Sequence, residues 1–166
     1  TSNAPPGAPR PAFLGPDAST KGNWVGRYGT EHHSIPGVGS TILPGSATNA
    51  VRFGLNDGKG AGTWDSGVGV APKHLTDPSG APGRDSGWYQ LNDSVDGFSE
   101  FPWKLSDGGE PVASFYLQRD GASQGTVSVI DPASGQALDT RDLSGMSAGK
   151  WYSWRVRGAP AFRFRA

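Results

Sequence analysis

The chain has 166 residues, with 15 Lys or Arg balancing 15 Asp or Glu, one Met and no Cys. That length suits one domain with a substantial buried core and is short for two. A net charge of zero without long charge runs excludes the basic footprint of a nucleic-acid binder. The absence of Cys excludes disulfides, thiolate metal sites and Cys nucleophiles, and no apolar run reaches the roughly 20 residues of a membrane helix.

Gly (26) and Pro (14) are abundant, but six Trp, seven Phe and four Tyr spread along the chain argue against disorder. The combination predicts frequent turns between short aromatic strands. Few Lys and Glu beside many Gly, Ser, Thr and Asp, and an opening at Thr1 rather than Met, fit an exported, processed protein.

Residues 1–11, TSNAPPGAPRP, carry Pro5, Pro6, Pro9 and Pro11 and no large apolar side chain. Neither a helix nor a central strand tolerates that pattern, so an extended, polyproline-like arm is expected there, with the domain proper over 12–166.

Short β-rich runs follow: AFLG (12–15), NWVGRY (23–28), AVRFGL (50–55), SGWYQL (86–91) and FSEFPWKL (98–105). VASFYLQ (112–118), TVSVID (126–131), QALDTRDL (136–143), KWYSWRVRG (150–158) and AFRFRA (161–166) complete the set. Turn clusters such as NDGKGAG, SDGGEP and DPASGQ separate them. The segment from Asn56 to Arg84 is weakly apolar and is expected to be loop-rich, anchored by Trp64.

The clearest hairpin is 126–143, where Val127 and Val129 alternate with polar neighbours and Leu138 is expected to resume the apolar face after the turn. No window shows a helical apolar stripe. The expected fold is all-β, a single jelly-roll-type β-sandwich, because one open sheet would leave an apolar face wet.

DASTKGNWVGRYG (17–29) resembles the D-x-T-x-x-G-N-W-x-G-x-Y-G opening of secreted bacterial β-sandwich modules. Their later part reads like residues 112–143, followed by a Trp/Tyr-rich strand ending in FRF. Such modules are similar to galactose-binding-like and carbohydrate-binding domains, which implies the same fold for roughly Phe13 to Phe164 and says little about ligand. Two departures stand out. TEHHS replaces the Gly and aromatic that follow YG in the pattern, and the pattern's further apolar strand after FRF has no counterpart before Ala166. The second departure predicts an open sheet edge above an uncovered groove at the last strand.

The candidate chemistry is sparse. His32 and His33 are adjacent, so in a strand they would point to opposite faces, and no His-x-His or His-x-x-x-His spacing occurs; they are read as surface loop histidines rather than metal ligands, with His74 the one further His. Trp24 and Tyr28, at i and i+4, fit one face of a strand opposite Val25, with Trp24 in the core and Tyr28 open to either environment. Glu100, between Phe98 and Phe101, is the carboxylate with the most suggestive surroundings for glycoside cleavage, but most Asp residues sit in turns and no catalytic pair is identified. Asp57 in NDGKG and Asp120 in RDGASQG are weak calcium candidates in loops that do not complete a calcium motif; no other cofactor is indicated.

Carbohydrate binding would need exposed aromatics beside polar donors, and Trp88, Tyr89, Trp103, Trp151 and Arg155 are the candidates. In WYSWRVR, Tyr152, Trp154 and Val156 read as core, which places Trp151 with Arg155 and Arg157 outside.

Two functions from different classes follow, neither of them enzymatic. The first is an extracellular or cell-surface structural protein that self-assembles into a fibre or layer, using Pro5, Pro6, Pro9, Pro11, Phe13 and Leu14 at one end and Phe162 and Phe164 at the other, by strand addition or as a strap. Its partner is a copy of itself. The alternative is a carbohydrate-binding module that recognises polysaccharide. Nucleic acid and membrane insertion are not expected.

Overall fold

The computed structural model describes residues 9–30, 32–35, 39–42, 52–54, 61–68, 75–77, 83–90, 98–102, 110–118 and 125–165. Regular structure there is strand, apart from a 3-10 turn at Met146–Ala148. The strands are β1 (Arg10–Asp17), β2 (His32–Ile35), β3 (Gly39–Ile42), β4 (Arg52–Gly54), β5 (Ala61–Val68), β6 (Arg84–Gln90), β7 (Phe98–Pro102), β8 (Val112–Leu117), β9 (Gly125–Ile130), β10 (Ala137–Leu143), β11 (Lys150–Arg157) and β12 (Ala161–Arg165).

A three-stranded sheet in the order β1-β11-β8 and a five-stranded sheet in the order β10-β9-β12-β7-β4 share one core, and all their pairings are antiparallel. The pairs β2-β3 and β5-β6 are separate antiparallel hairpins.

Alternation explains the core. Ala113 and Leu117 of β8 and Tyr152, Trp154 and Val156 of β11 meet Val127 and Val129 of β9, Leu143 of β10 and Phe162 and Phe164 of β12. Trp154, Phe162, Val127, Val129 and Val156 are fully buried. Phe13 and Phe115 close the sides of this cluster, their rings 5.0 and 6.4 Å from that of Trp154. The Trp154 indole N–H donates to the Asp139 carboxylate at 3.0 Å, which satisfies the one polar atom of the core's largest side chain.

β1 begins at Arg10, so the last two residues of the Pro-rich segment pair with β11; residues 1–8, with Pro5 and Pro6, lie outside the described residues. The run 23–28 is a turn rather than a strand. Gly26 has φ 80°, and the N–H groups of Arg27 and Tyr28 both donate to the Trp24 carbonyl at 2.9 Å, a coiled path that no strand can follow.

The segment 56–84, expected to be loop-rich, contains β5. Cross-strand pairing with β6 organises Gly, Ser and Asp residues whose intrinsic strand preference is low. His32 and His33 lie in a strand, not a loop.

In the 125–143 hairpin Val127 and Val129 are buried as expected, but Leu138 is 36% exposed. A register shift between Ala137 and Asp139 turns it outward, and Leu143 supplies the apolar contact instead.

The expected open edge at the last strand is overturned. β12 lies between β9 and β7, so its backbone is paired on both sides, and Phe162 and Phe164 are packed into the core rather than offered to a neighbour.

Candidate functional site

The three-stranded sheet has a core face and an outer face. In the β1-β11 and β11-β8 registers, Trp151, Ser153 and Arg155 of β11 share the outer face with Asp17, Gly15 and Ala12 of β1 and with Tyr116, Ser114 and Val112 of β8. The loop 18–30 folds back over one half of that face.

Asp17 anchors the loop. Its carboxylate accepts from the Ser19 N–H at 2.7 Å, the Ser19 hydroxyl at 2.6 Å, the Thr20 N–H at 3.1 Å, the Thr20 hydroxyl and the Tyr28 hydroxyl at 2.9 Å. The Arg27 guanidinium lies 3.3 Å away. Hydrogen bonds from the Ser19 and Thr20 hydroxyls, above all, hold the Asp17 carboxyl far below the usual carboxylate range. Burial and the Asp17 charge push the Tyr28 phenol up.

The loop's aromatics form a second core with Trp151. The Tyr28 ring stacks on Trp151 at 4.4 Å and 17°, and the Trp24 ring lies 6.3 Å from it. Tyr116 packs on its other side at 5.3 Å, and Leu75 joins the cluster. Both indoles spend their N–H groups on backbone, Trp151 on the Lys21 carbonyl at 2.7 Å and Trp24 on the Thr76 carbonyl at 2.9 Å. The His33 ring meets Trp24 edge-on at 5.0 Å.

Trp24 and Tyr28 thus share one side and leave Val25 49% exposed, although a turn and not a strand places them. The placement of Trp151 is corrected. Only 6% exposed, it lies on the outer face with Arg155 as its parity requires, but the loop covers it, so it offers no ring face to a sugar. Arg155 is exposed, and Arg157 reaches Glu110 at 4.0 Å. Trp88 and Tyr89 fall in β6, where only the backbone is described, and Trp103, His74, Asp57 and Asp120 lie outside the described residues.

Glu100 sits in β7 at the register position opposite Arg163 of β12 on one side and Arg52 of β4 on the other. Among the described residues no three His, Asp or Glu side chains gather in a way that would hold a metal ion, and no helix is long and apolar enough to cross a membrane.

Gly149, buried where the 3-10 turn leads into β11, has φ 72°, and a Cβ there would collide with the Tyr116 ring. Gly149→Ala is expected to cost about 2–4 kcal/mol, from the left-handed backbone and the overpacking together, read as a lower urea midpoint with an unchanged slope.

The sheet edges differ in how they are protected. The N–H of Val156 donates to the carbonyl of Pro111, so Val156 and, by alternation, Trp154 and Tyr152 turn their backbone groups toward β8. Arg157, Arg155, Ser153 and Trp151 therefore turn theirs toward Arg10, Ala12, Gly15 and Asp17 of β1. The β1 residues that face away are Pro11, Phe13 and Pro16, and two of these have no N–H to offer. A register shift between Phe13 and Gly15 roughens that edge further, with Leu14 49% exposed at it.

β10 carries Asp139, Arg141 and Asp142 and its own register shift, and β4 has three residues. β8 has six residues with no proline, charge or register shift, and among the described residues it pairs with β11 alone. Among the described residues, the usual devices that keep strands from pairing at an edge are thus present in β1, β10 and β4 and are not found within the sequence of β8.

These features define an all-β protein of two packed antiparallel sheets. Comparison with family models, with curated proteins and with solved structures finds no match to the chain.

Proposed function

We propose that this is a non-catalytic structural protein of the extracellular space or cell surface, which assembles with copies of itself into a fibre or layer through its N-terminal arm and an open sheet edge. The observation that carries the reading is the unequal make-up of the outermost strands among the described residues: β1 and β10 carry proline, charge or a register shift and β4 is short, while β8 has none of these features. We place the fold among jelly-roll sandwiches of the galactose-binding-like kind. The chain passes from one sheet to the other between β8 and β9, β10 and β11, and β11 and β12, which supports that placement.

The motif that prompted a sugar-binding alternative uses its aromatics internally. Tyr28 stacks on Trp151 and both Trp24 and Trp151 hydrogen-bond to backbone, so that alternative rests on Trp88, Tyr89 and Trp103.

Sedimentation velocity over about two decades of concentration, with negative-stain imaging, tests the assembly reading. The expected result is a mass that rises with concentration and visible polymers, which deletion of residues 1–8 abolishes while the melting temperature is kept. A monomer at every concentration overturns it. Retention on a polysaccharide gel by such a monomer would transfer the assignment to the binding module.

A further inference from the structure

The assembly reading leaves open which part of the chain crosses between copies. β1 is tied to the sandwich by segments far from it in sequence. Its backbone pairs with β11 from Arg10 to Asp17, and the Phe13 ring lies 5.0 Å from that of Trp154 and 4.7 Å below the Arg141 guanidinium. Asp17 accepts the Tyr28 hydroxyl at 2.9 Å and lies 3.3 Å from Arg27.

The bonds around the turn after β1 divide at one residue. Ser19 and Thr20 hydrogen-bond back to Asp17 and so belong with β1. Gly22, Asn23 and Trp24 are tied to Thr76 instead. The Thr76 N–H donates to the Gly22 carbonyl at 2.9 Å, its hydroxyl to the Asn23 side chain at 3.3 Å, and its carbonyl accepts the Trp24 indole N–H at 2.9 Å. Lys21 lies between the two groups. At φ 46° it is the only residue other than glycine with left-handed backbone among the described residues, a strained conformation for a side chain with a Cβ. Opening the turn there relieves that strain. It also breaks the bond from the Asn23 N–H to the Thr20 carbonyl and moves the Lys21 carbonyl from the Trp151 indole.

We propose that β1 is exchanged in series, each copy laying residues 10–20 on β11 of one neighbour and receiving the same strand from another, with Lys21 as the hinge. This rests on the self-assembly reading and specifies its contact. The arm, residues 1–8, crosses with the strand.

The occupant is argued from the contacts themselves. The incoming strand is identical to the one it replaces, so it needs no free edge. Phe13 enters beside Trp154 and under Arg141 of the receiving copy, and Asp17 meets that copy's Tyr28 and Arg27, as each does within one chain. Closed and exchanged forms therefore differ at the hinge alone, and concentration decides between them. Donation from each copy to the next does not close on itself and builds a filament.

The chain has no cysteine, which permits a direct test. Ala12 and Arg155 are exposed and directly opposed in the β1-β11 register, where the Cα atoms of a hydrogen-bonded pair lie about 5.5 Å apart, within disulfide range. Ala12→Cys and Arg155→Cys proteins, mixed at a concentration where the parent polymerises and mildly oxidised, are expected to give a disulfide joining one variant to the other. With both substitutions in one chain, a ladder of linked multimers is expected at that concentration on a non-reducing gel. On dilution before oxidation the same chain gives an internally linked monomer, which reports that the variant folds with β1 in register. Two hinge variants act without a new bond. Lys21→Gly relaxes the closed turn and is expected to raise the self-dissociation constant about tenfold. Lys21→Pro, with φ fixed at about −65°, forbids that turn and is expected to lower it by a similar factor.

The proposal is overturned if the doubly substituted chain links only within itself where the parent polymerises, or if Lys21→Gly and Lys21→Pro self-associate alike. Bands that end at the dimer overturn donation in series. Polymers that vanish on deletion of residues 1–8, in a protein whose mixed variants do not cross-link, would overturn strand exchange and keep self-assembly. A parent protein monomeric throughout removes both.

Discussion

Trp154→Ala is expected to cost about 4 kcal/mol, the largest loss from any single core truncation in this protein. The side chain is fully buried at the centre of the inter-sheet core, with the rings of Phe13, Phe115 and Phe162 at 5.0, 6.4 and 5.4 Å. Deleting it leaves a cavity between two sheets whose backbones are fixed by their ladders, so the walls cannot collapse to fill it. It also strands the Asp139 carboxylate, which keeps only the Arg141 guanidinium, at 2.9 Å. Against a typical domain stability of about 5–15 kcal/mol, this variant is expected to lie near its unfolding midpoint or beyond it at 37 °C.

Trp154→Phe separates the two contributions. It retains most of the apolar volume and removes the indole N–H that donates to Asp139, so a loss of about 1–2 kcal/mol is expected. Urea titrations followed by far-ultraviolet circular dichroism measure both. A Trp154→Ala protein within about 1 kcal/mol of the parent would contradict the central position of this ring.

Asp17→Ala comes second, at about 3 kcal/mol. One carboxylate organises the whole loop 18–30 by accepting from Ser19, Thr20 and Tyr28 and pairing with Arg27, and charge-assisted hydrogen bonds of this kind contribute about 1.5–3 kcal/mol each when removed, with strong non-additivity. Its loss unpins Tyr28 from Trp151 and exposes the second aromatic cluster. Tryptophan fluorescence should shift to the red in Asp17→Ala while the inter-sheet core, on the opposite face of the same strands, remains folded.

The pH dependence has a definite sign. The Asp17 carboxyl is depressed in the folded protein, so the unfolded chain takes up its proton first as the solution is acidified. Its contribution is complete above the ordinary aspartate value of about 3.9 and declines by at most about 1.4 kcal/mol for each pH unit below it. Stability of the parent measured from pH 5 down to about pH 2 should therefore fall more steeply than that of Asp17→Asn. Parallel curves would show that the carboxylate is not held in its ionised form by the loop.

Much of the architecture is legible in the residues. The alternation of Val127 with Val129, of Tyr152, Trp154 and Val156, and of Phe162 with Phe164 determines which face of each strand enters the core, because a strand sends neighbouring side chains to opposite sides. The turn at the end of β1 was legible too, though less directly. Asp17 followed by Ser19 and Thr20 is a sequence whose side chains hydrogen-bond their own backbone, which is why a loop rather than a strand follows.

Other features have no local signal. Trp151 has the parity of an outward residue and is nevertheless buried, because what covers it comes from residues 24, 28 and 75, far away in the chain. Leu138 alternates correctly and still faces solvent, because the register slips beside it. The hairpin of β5 was hidden in a segment rich in Gly, Ser and Asp, where pairing and not propensity makes the strand.

The same division holds for the proposed assembly surface. Pro11 and Pro16 in the first strand, and the absence of proline and charge from VASFYL, can be read directly, and they set how each strand would behave at an edge. Which strands are edges cannot be read that way. β12 was expected to be the unfinished side of the sandwich because the resembled pattern continues past FRF into a further strand, yet it sits between β9 and β7. Side-chain chemistry and the two-residue period of a strand are local properties, so the sequence alone determined the core faces and the blunted or bare character of each strand. Strand order depends on contacts between residues far apart in the chain, so only the tertiary structure decided that β12 lies inside a sheet, between β9 and β7, rather than at its edge.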